Sequence, residues 1–260
     1  MKRLLFTFLL FVSTALAQTP TQVKGFFGQA NTKYQITLDH PTISGQAIVM
    51  QLYASGALWQ TGPVCALAYQ AFGTPFCDYN LTDSQMNQFV QVNRDYPGLL
   101  YVPASKGGIE TITVSYAGPQ NNNLSVIITV WPDTLVLQDV ITPRCDWLPT
   151  GNQKQICDPW NSGFSFTGSE GVGSMASYSL VSSVPNELFI GWGSTGIVTP
   201  TFTATNGWAT PMFGGELFLS YKTSGPIGTS EMFTLTINPP LPDEKYVWAG
   251  IQGFKVIPIT

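Results

Sequence analysis

Four cysteines are the residues whose spacing points most directly to chemistry. They form two pairs, Cys65 with Cys77 and Cys145 with Cys157, and the members of each pair are twelve positions apart. Local pairing closes the shortest loops of the possible connectivities, so we predict one disulfide within each pair. A zinc site would need C-x-x-C spacing or several histidines. The chain has one histidine, and we therefore predict no metal site.

The sequence offers little for catalysis. It contains no G-x-S-x-G, H-E-x-x-H, P-loop or Rossmann motif. The single histidine, His40, precedes Pro41 at the end of a predicted strand, where a surface turn is the ordinary interpretation. The 15 Asp and Glu residues show no spacing that indicates a glycosidase pair. We predict a non-enzymatic protein that needs no cofactor.

Tryptophan is the remaining residue type that could bind a ligand. Trp147 and Trp160 flank the second cysteine pair. Exposed tryptophans stack on sugar rings or fill a pocket of a partner protein, whereas buried ones pack around a disulfide. Both interpretations of these two side chains are open. Asn80 and Asn123 begin N-x-S/T sequons, which matter where secreted proteins are glycosylated.

The N-terminal segment has the pattern of a secretory signal peptide. Lys2 and Arg3 precede an apolar run, and Ala15–Ala17 is a small-residue cleavage pattern. We expect cleavage before Gln18 and export to an oxidising compartment, where disulfides persist. The run is short for a helix that spans a bilayer. We predict a secreted protein with no membrane span after cleavage.

The composition limits the classes of partner. Hydrophobic residues make up 44% of the chain, which allows a sizeable core, and charged residues make up 10%. The formal net charge is −4, so the chain has no basic surface for nucleic acid. A surface of uncharged polar groups is typical of secreted β-proteins and of subunits that pack against each other.

Hydrophobic alternation predicts β-strands along most of the chain. Residues 33–40 alternate, and 46–55 form a continuous apolar strand. Further strands recur about every ten residues, with Gly, Pro or Asn between them, as is typical of a β-sandwich. They are predicted at 109–116, 124–131, 134–141, 177–184, 186–193, 199–205, 214–221 and 231–237. The best helix candidate is 81–96, where Thr82 or Asp83 could cap a short helix or a loop.

Two stretches of the chain resemble each other. Residues 109–132 and 216–240 both contain a strand that ends in Ser-Tyr, a Gly-Pro turn region and a strand that ends at proline. Alignment of Gly107-Gly108 with Gly214-Gly215 places them 107 residues apart, and we interpret each as a β-hairpin. With their lead-ins they resemble the closing half of cadherin-like and bacterial Ig-like repeats. The resemblance implies two tandem Ig-like antiparallel β-sandwich domains with a C-terminal extra strand, without the acidic calcium motifs of that family.

This repeat suggests a division of the chain, with chance similarity inside one larger sandwich as the alternative. The predicted parts are a signal peptide at 1–17, a first β-sandwich domain at 18–132, a second at 133–240 and a C-terminal strand and tail at 241–260. The tail carries four large side chains of one parity, Tyr246, Trp248, Phe254 and Val256. Such a strand needs a sheet edge, so it folds back onto its own domain or adds to a neighbouring subunit.

These observations favour a secreted, non-enzymatic structural or adhesive protein. We expect it to self-associate or to dock to another cell-surface protein, as part of an appendage, filament or matrix. The mechanism would be β-strand addition through the tail, combined with apolar contacts. A secreted glycan-binding module that uses exposed Trp and Tyr is the alternative.

Overall fold

The computed structural model describes residues 18–30, 33–54, 79–92, 98–116, 122–141, 144–147, 155–158, 165–169, 172–194, 201–204, 207–214, 217–238 and 248–260. Within these ranges the chain contains strands and turns and no helix. The predicted all-β fold class is therefore confirmed. The strands are β1 (Gln22–Ala30), β2 (Lys33–Thr37), β3 (Ala47–Ala54), β4 (Tyr79–Asp83), β5 (Val90–Gln91), β6 (Gly98–Val102), β7 (Thr111–Tyr116), β8 (Asn122–Trp131), β9 (Thr134–Ile141), β10 (Arg144–Trp147), β11 (Gln155–Asp158), β12 (Ser165–Ser169), β13 (Val172–Val181), β14 (Leu188–Ser194), β15 (Thr201–Ala204), β16 (Ala209–Gly214), β17 (Leu217–Thr223), β18 (Ser230–Asn238) and β19 (Trp248–Ile257).

Antiparallel pairing joins the described strands into four sheets and one two-stranded ribbon. Sheet 1 has the order β2-β7-β4, and sheet 2 has the order β1-β8-β3-β6-β5. Sheet 3 has the order β16-β17-β14-β19-β9, and sheet 4 has the order β12-β13-β18-β15. β10 and β11 form the ribbon. The side-chain contacts between the sheets stack them in the order 1, 2, 3, 4.

Sheets 1 and 2 pack face to face through aliphatic side chains. Ile112 and Val114 of β7 meet Val126 and Ile128 of β8, and the even-numbered residues of β3 join them. All of these side chains are essentially buried. Sheets 1 and 2 therefore form a β-sandwich with a shared apolar layer.

The opposite face of sheet 2 is also buried, because it packs against sheet 3. The odd-numbered residues Ala47 and Val49 of β3 lie in a second apolar layer that contains Leu188 and Ile190 of β14. Successive side chains of a strand point to opposite faces of a sheet. The continuous apolar run of β3 therefore covers both faces, as is expected of a strand with a sheet on either side.

Aromatic rings mark the two layers around sheet 3. Towards sheet 2, the ring centroids of Tyr101 and Phe254 are 5.5 Å apart, in an edge arrangement. Towards sheet 4, Phe233 of β18 lies 6.1 Å from Phe218 of β17 and 4.7 Å from Trp208. Sheet 3 is thus covered on both faces as well. Sheets 3 and 4 form a second sandwich, which packs on the first through sheets 2 and 3.

The repeated units differ from the predicted hairpins. β7 pairs with β2 and β4 in sheet 1, whereas β8 pairs with β1 and β3 in sheet 2. In the second copy, β17 belongs to sheet 3 and β18 to sheet 4. The hairpin prediction was wrong because the two strands of each unit contact each other through buried side chains across a sandwich, not through backbone hydrogen bonds. Both copies do share this crossing from one sheet to the facing sheet.

The C-terminal strand lies inside sheet 3 and not at a free edge. β19 pairs with β14 on one side and with β9 on the other. Of the two options open from the sequence, the structure therefore has residues 248–257 folded back in the same chain. Phe254 is fully buried and Val256 packs against the layer between sheets 2 and 3. Neither forms an exposed association face, and Tyr246 and the side chain of Trp248 lie outside the described residues.

The helix candidate at 81–96 begins with a strand and a turn instead. Residues 79–83 form β4, and residues 90–91 form β5. Asp83 does act as a cap, since its Oδ1 accepts hydrogen bonds from the backbone N–H groups of Gln85 and Asn87. Met86 then adopts φ of 56°, which a right-handed helix cannot accommodate. Residues 93–96 lie outside the described residues.

The ribbon places the second cysteine pair in register. Cys145 of β10 is directly opposite Cys157 of β11. Directly opposed residues of antiparallel strands have Cα atoms about 4.5–5.5 Å apart, which lies within the usual range for a disulfide. The backbone is thus compatible with the predicted local pairing, and the bond itself stays a prediction. Cys65 and Cys77 lie outside the described residues.

Truncation of a β19 core side chain tests the position of this strand. Phe254→Ala should lower the free energy of unfolding by about 3–5 kcal/mol, because it leaves a cavity between sheets 2 and 3. Chemical denaturation of the purified protein measures this change. Lys255→Ala, at the exposed neighbouring position, should change stability by about 0.5 kcal/mol or less. A Phe254→Ala protein with unchanged stability and weakened association would contradict the pairing of β19 within its own chain.

Candidate functional site

The connections between the sheets meet at one end of the stack. The register pairs Ile48 with Val102 in sheet 2, Thr37 with Thr111 in sheet 1 and Leu188 with Thr223 in sheet 3. It also pairs Ile257 with Thr134 and Val181 with Ser230. All of these residues are strand ends on the same side. We call this side the turn end, and it consists of residues 38–46, 84–89, 103–110, 132–133, 182–187, 224–229 and 258–260.

Backbone with positive φ is concentrated at the turn end. Met86 and Asn186 are the non-glycine examples among the described residues, with φ of 56° and 55°. L-residues adopt this conformation at a cost of roughly 1–2 kcal/mol. Gly107, with φ of 79°, has no alternative, because a Cβ there would meet the backbone N of Ser44 at 2.7 Å. The turn end therefore contains tight turns, and at Gly107 the close approach of another connection requires glycine.

Hydrogen bonds hold the turn at 83–87 in one conformation. Besides the two backbone N–H groups, Asp83 Oδ1 accepts from Asn87 Nδ2 at 3.1 Å. Lys106 Nζ donates to the carbonyl oxygens of Gln85 and Met86 at 3.1 and 3.0 Å. The backbone N of Lys106 donates to Asn87 Oδ1 at 2.9 Å. The side chain of Met86 is 73% exposed on this fixed support.

A second turn presents Ile43 in the same way. The backbone N of Ile43 donates to Gln46 Oε1 at 2.8 Å, and its carbonyl oxygen accepts from Ser105 Oγ at 3.3 Å. Gly45 N donates to the carbonyl oxygen of Ser105 at 2.9 Å, and Ser105 N donates to that of Gln46 at 2.8 Å. These two bonds join the connection at 38–46 to the connection at 103–110. The side chain of Ile43 is 64% exposed. Its backbone is fully engaged while its apolar side chain faces solvent.

The second sandwich contributes a third turn of this kind. Pro226 O accepts hydrogen bonds from Ser182 Oγ at 2.8 Å and from Thr229 Oγ1 at 2.6 Å. Gly228 N donates to Ser182 O at 2.9 Å. The side chain of Ile227, between Pro226 and Gly228, is 65% exposed. Turns from both sandwiches therefore carry an exposed apolar side chain at their centre.

The chain terminus completes this end. Thr134 Oγ1 donates to Gly45 O at 2.8 Å, and Ile259 N donates to Asp133 Oδ1 at 3.3 Å. Ile259 lies against Gly45, since a Cβ on Gly45 would meet its Cγ2 at 2.5 Å. Seven of the ten exposed large apolar side chains in the described part of the chain lie at or beside the turn end: Ile43, Met86, Val90, Val181, Ile227, Ile257 and Ile259.

Charged side chains at the turn end mainly support its turns. Lys106 holds the turn at 83–87, and Glu187 Oε2 accepts from the backbone N of Ser183 at 2.7 Å. Asp39 forms an ion pair with Lys24. His40 is exposed, as predicted for a surface turn, and its Nδ1 lies 3.1 Å from Gln22 Nε2. The contacts of Lys106 and Glu187 thus help to fix the shape of these turns.

One ionisable group lies where the two sandwiches meet. Burial raises the pKa of the Tyr221 phenol above its usual value of 10.0. Its ring contacts Trp131 edge-on, with centroids 5.2 Å apart. Tyr221 therefore stays protonated at neutral pH and packs as a neutral ring.

The other predicted site residues stay predictions. Trp160 lies outside the described residues, and for Trp147, Asn80 and Asn123 the structure describes only strand backbone. Within the described ranges, no three His, Cys, Asp or Glu residues are grouped as a metal site would require. Those ranges also contain no helix that is long and apolar enough to cross a bilayer.

The exposed turn residues were missed from the sequence, although a signal for them exists. Ile43 lies in Thr-Ile-Ser-Gly, Met86 in Gln-Met-Asn and Ile227 in Pro-Ile-Gly. In each case one large apolar residue is surrounded by residues that favour turns. Such a residue cannot belong to the alternating face of a strand, so its exposure could have been predicted.

Comparison with known proteins adds no relative. Scans against protein-family models, curated proteins and solved structures found no match to this chain. The resemblance to cadherin-like and bacterial Ig-like repeats therefore stays a prediction.

Removal of the carboxylate in the first turn tests whether it fixes the turn. Asp83→Ala should lower the free energy of unfolding by about 1–3 kcal/mol, because the partly buried N–H groups of Gln85 and Asn87 lose their acceptor. Denaturant titration measures the loss. Met86→Ala is the control in the same turn, since the exposed Met86 side chain contributes about 0.5 kcal/mol or less. Equal effects of the two substitutions would contradict the role assigned to Asp83.

Proposed function

We propose that this chain is a secreted, non-enzymatic structural or adhesive protein that works by association, with the turn end as its apolar docking surface. One observation carries the proposal. Ile43, Met86 and Ile227 are exposed on turns whose backbones are held by hydrogen bonds. These side chains share one end of the stack, and exposed apolar surface that is concentrated in one region is characteristic of interaction sites.

The fixed turns make these side chains suitable anchors. Binding normally costs about 0.5–1.5 kcal/mol for each side chain or loop segment that has to be ordered. Here the backbone on both sides of Ile43 and Met86 is already ordered by Gln46, Asp83 and Lys106. Burial of these side chains in a partner would therefore retain more of the hydrophobic free energy than burial of side chains on a flexible loop.

A second copy of the same chain is the partner that we propose. Only 10% of the residues are charged, and Lys106 and Asp133 at the turn end already make hydrogen bonds within the chain. Two copies of such a surface meet with little charge repulsion. An apolar, weakly charged surface is also self-complementary, as a two-fold interface requires.

β-Strand addition needs a different strand from the one predicted. Residues 248–257 have both sides paired, so they offer no free edge. β9 is the edge strand of sheet 3, and its eight residues are long enough for pairing with another chain. Gln138 of β9 donates to the carbonyl oxygens of Val136 and Leu137 at 3.3 and 3.2 Å. Because this side chain occupies acceptors of its own strand, we assign the main contact to the turn end.

Charge introduced at the anchors tests the proposal. The purified protein should associate with increasing concentration in sedimentation velocity experiments. The double variant Ile43→Asp, Met86→Asp should weaken this association at least about tenfold, because each carboxylate would be desolvated in an apolar contact. Its stability should stay close to that of the wild type, since both side chains are exposed.

Met232→Asp is the matched control. Met232 is 51% exposed and lies within β18, two residues from the strand end at Ser230 and outside the turn end. This variant should associate like the wild type. A wild-type protein that is monomeric at every concentration would overturn self-association. Equal weakening by Met232→Asp would overturn the assignment to the turn end.

A further inference from the structure

Two glutamines interrupt the apolar layer between sheets 2 and 3. Gln51 of β3 and Gln252 of β19 both have no exposed surface. Each shares the parity of side chains that belong to this layer, Val49 on β3 and Phe254 on β19. Burial of an amide in such a layer is costly unless its donors and acceptors are used.

The two glutamines lie at a similar distance from the turn end. Val49 is the register partner of Tyr101, and the ring of Tyr101 contacts Phe254. Gln51 is two residues further from the turn end than Val49, and Gln252 is two residues further from it than Phe254. Gln51 and Gln252 are therefore each one strand repeat beyond the Tyr101–Phe254 contact, at a similar distance from the turn end.

Trp192 adds a third polar group at this place. It is the register partner of Gly250 on β19. Its indole lies over Gly250, since a Cβ there would meet Nε1 at 2.9 Å. Gln51 Nε2 donates to the carbonyl oxygen of the next residue, Gly193, at 2.6 Å. Gln51 and Trp192 thus approach the same part of β14, and Gln252 lies one strand repeat from Gly250 on the same face of β19.

Most polar atoms of this cluster have no hydrogen-bond partner within the part of the chain that the structure describes. They are Gln51 Oε1, Trp192 Nε1 and both amide atoms of Gln252. The set contains donors and acceptors, and water is the small molecule that can serve both at once. A buried water makes about three hydrogen bonds with groups of this kind.

We propose that Gln51, Trp192 and Gln252 bind ordered water between sheets 2 and 3. The three side chains are uncharged, so an ion would lie in the apolar layer without a counter-charge. The buried carboxylates described in the structure lie elsewhere. Glu187 caps the connection at 182–187, Glu231 pairs with Lys222, and Asp83 holds its own turn. The water links the two sandwiches through a polar contact within the layer between sheets 2 and 3.

The indole N–H of Trp192 reports the water directly. In a sample labelled with ¹⁵N at tryptophan, we expect an NMR cross-relaxation peak between this N–H and bound water. Trp131 is the internal control, because its buried indole Nε1 donates to Thr129 Oγ1 at 3.0 Å. It should show no such peak. Gln252→Met, which keeps the side-chain length and removes the amide, should abolish or strongly reduce the Trp192 peak and leave the Trp131 signal unchanged.

Two results would overturn the proposal. One is a wild-type Trp192 indole that shows no contact with water, as expected for Trp131. The other is a crystal structure in which Gln51 Oε1 or Gln252 Oε1 accepts the indole hydrogen bond directly. The comparison of Trp192 with Trp131 needs only the wild-type protein, so it decides the question even if Gln252→Met does not fold.

Discussion

Burial of sheet 2 on both faces is the constraint on which the rest of the structure depends. β3 places Ile48 and Met50 against sheet 1 and Ala47 and Val49 against sheet 3. A sheet with two apolar faces is stable in water only when both are covered. The first sandwich therefore needs sheet 3, and sheet 3 is completed by β9 and β19 from opposite ends of the second half of the chain. The stacked sandwiches thus depend on each other through one apolar layer.

This layer also explains the geometry of the candidate site. Because sheets 1 to 4 are held in one stack, the connections of both sandwiches come to the same end. Thr134 and Gly45 are joined there by a hydrogen bond, and the chain terminus binds Asp133. The turn end can therefore present Ile43, Met86 and Ile227 in a fixed relation, which a flexible linker between two domains would not provide.

Much of the strand content could be predicted from the sequence, and most of the pairing could not. Alternation and β-branched residues located β2, β7, β8 and β17 correctly, because these features depend on neighbours in the chain. The partner of each strand depends on contacts between distant residues. The repeated Ser-Tyr and Gly-Pro units were therefore interpreted as hairpins, although their strands face each other across a sandwich. The strand predicted at 46–55, which is apolar at nearly every position from 47 to 53, did contain the signal for a sheet covered on both faces.

The features of the candidate site could likewise be predicted from the sequence only in part. The parity of Phe254 and Val256 could be predicted, but their burial could not, because it follows from the insertion of β19 between β14 and β9. The sequence offers Thr82 or Asp83 as a cap, yet a cap alone does not decide between a helix and a turn. The position of Met86 at positive φ decides it. Exposed apolar residues at turn centres are visible in the sequence, whereas their assembly at one end requires the fold.

Native-state hydrogen exchange in denaturant tests most directly whether the four sheets form one cooperative unit. The slowest amides of β3 and β8 in sheet 2 should exchange with the same opening free energy and the same denaturant dependence as those of β14 and β19 in sheet 3. That result is expected because neither sheet can lose its partner without exposing the shared apolar layer. Exchange of the β14 and β19 amides at a clearly lower free energy, while sheet 2 stays protected, would contradict the account.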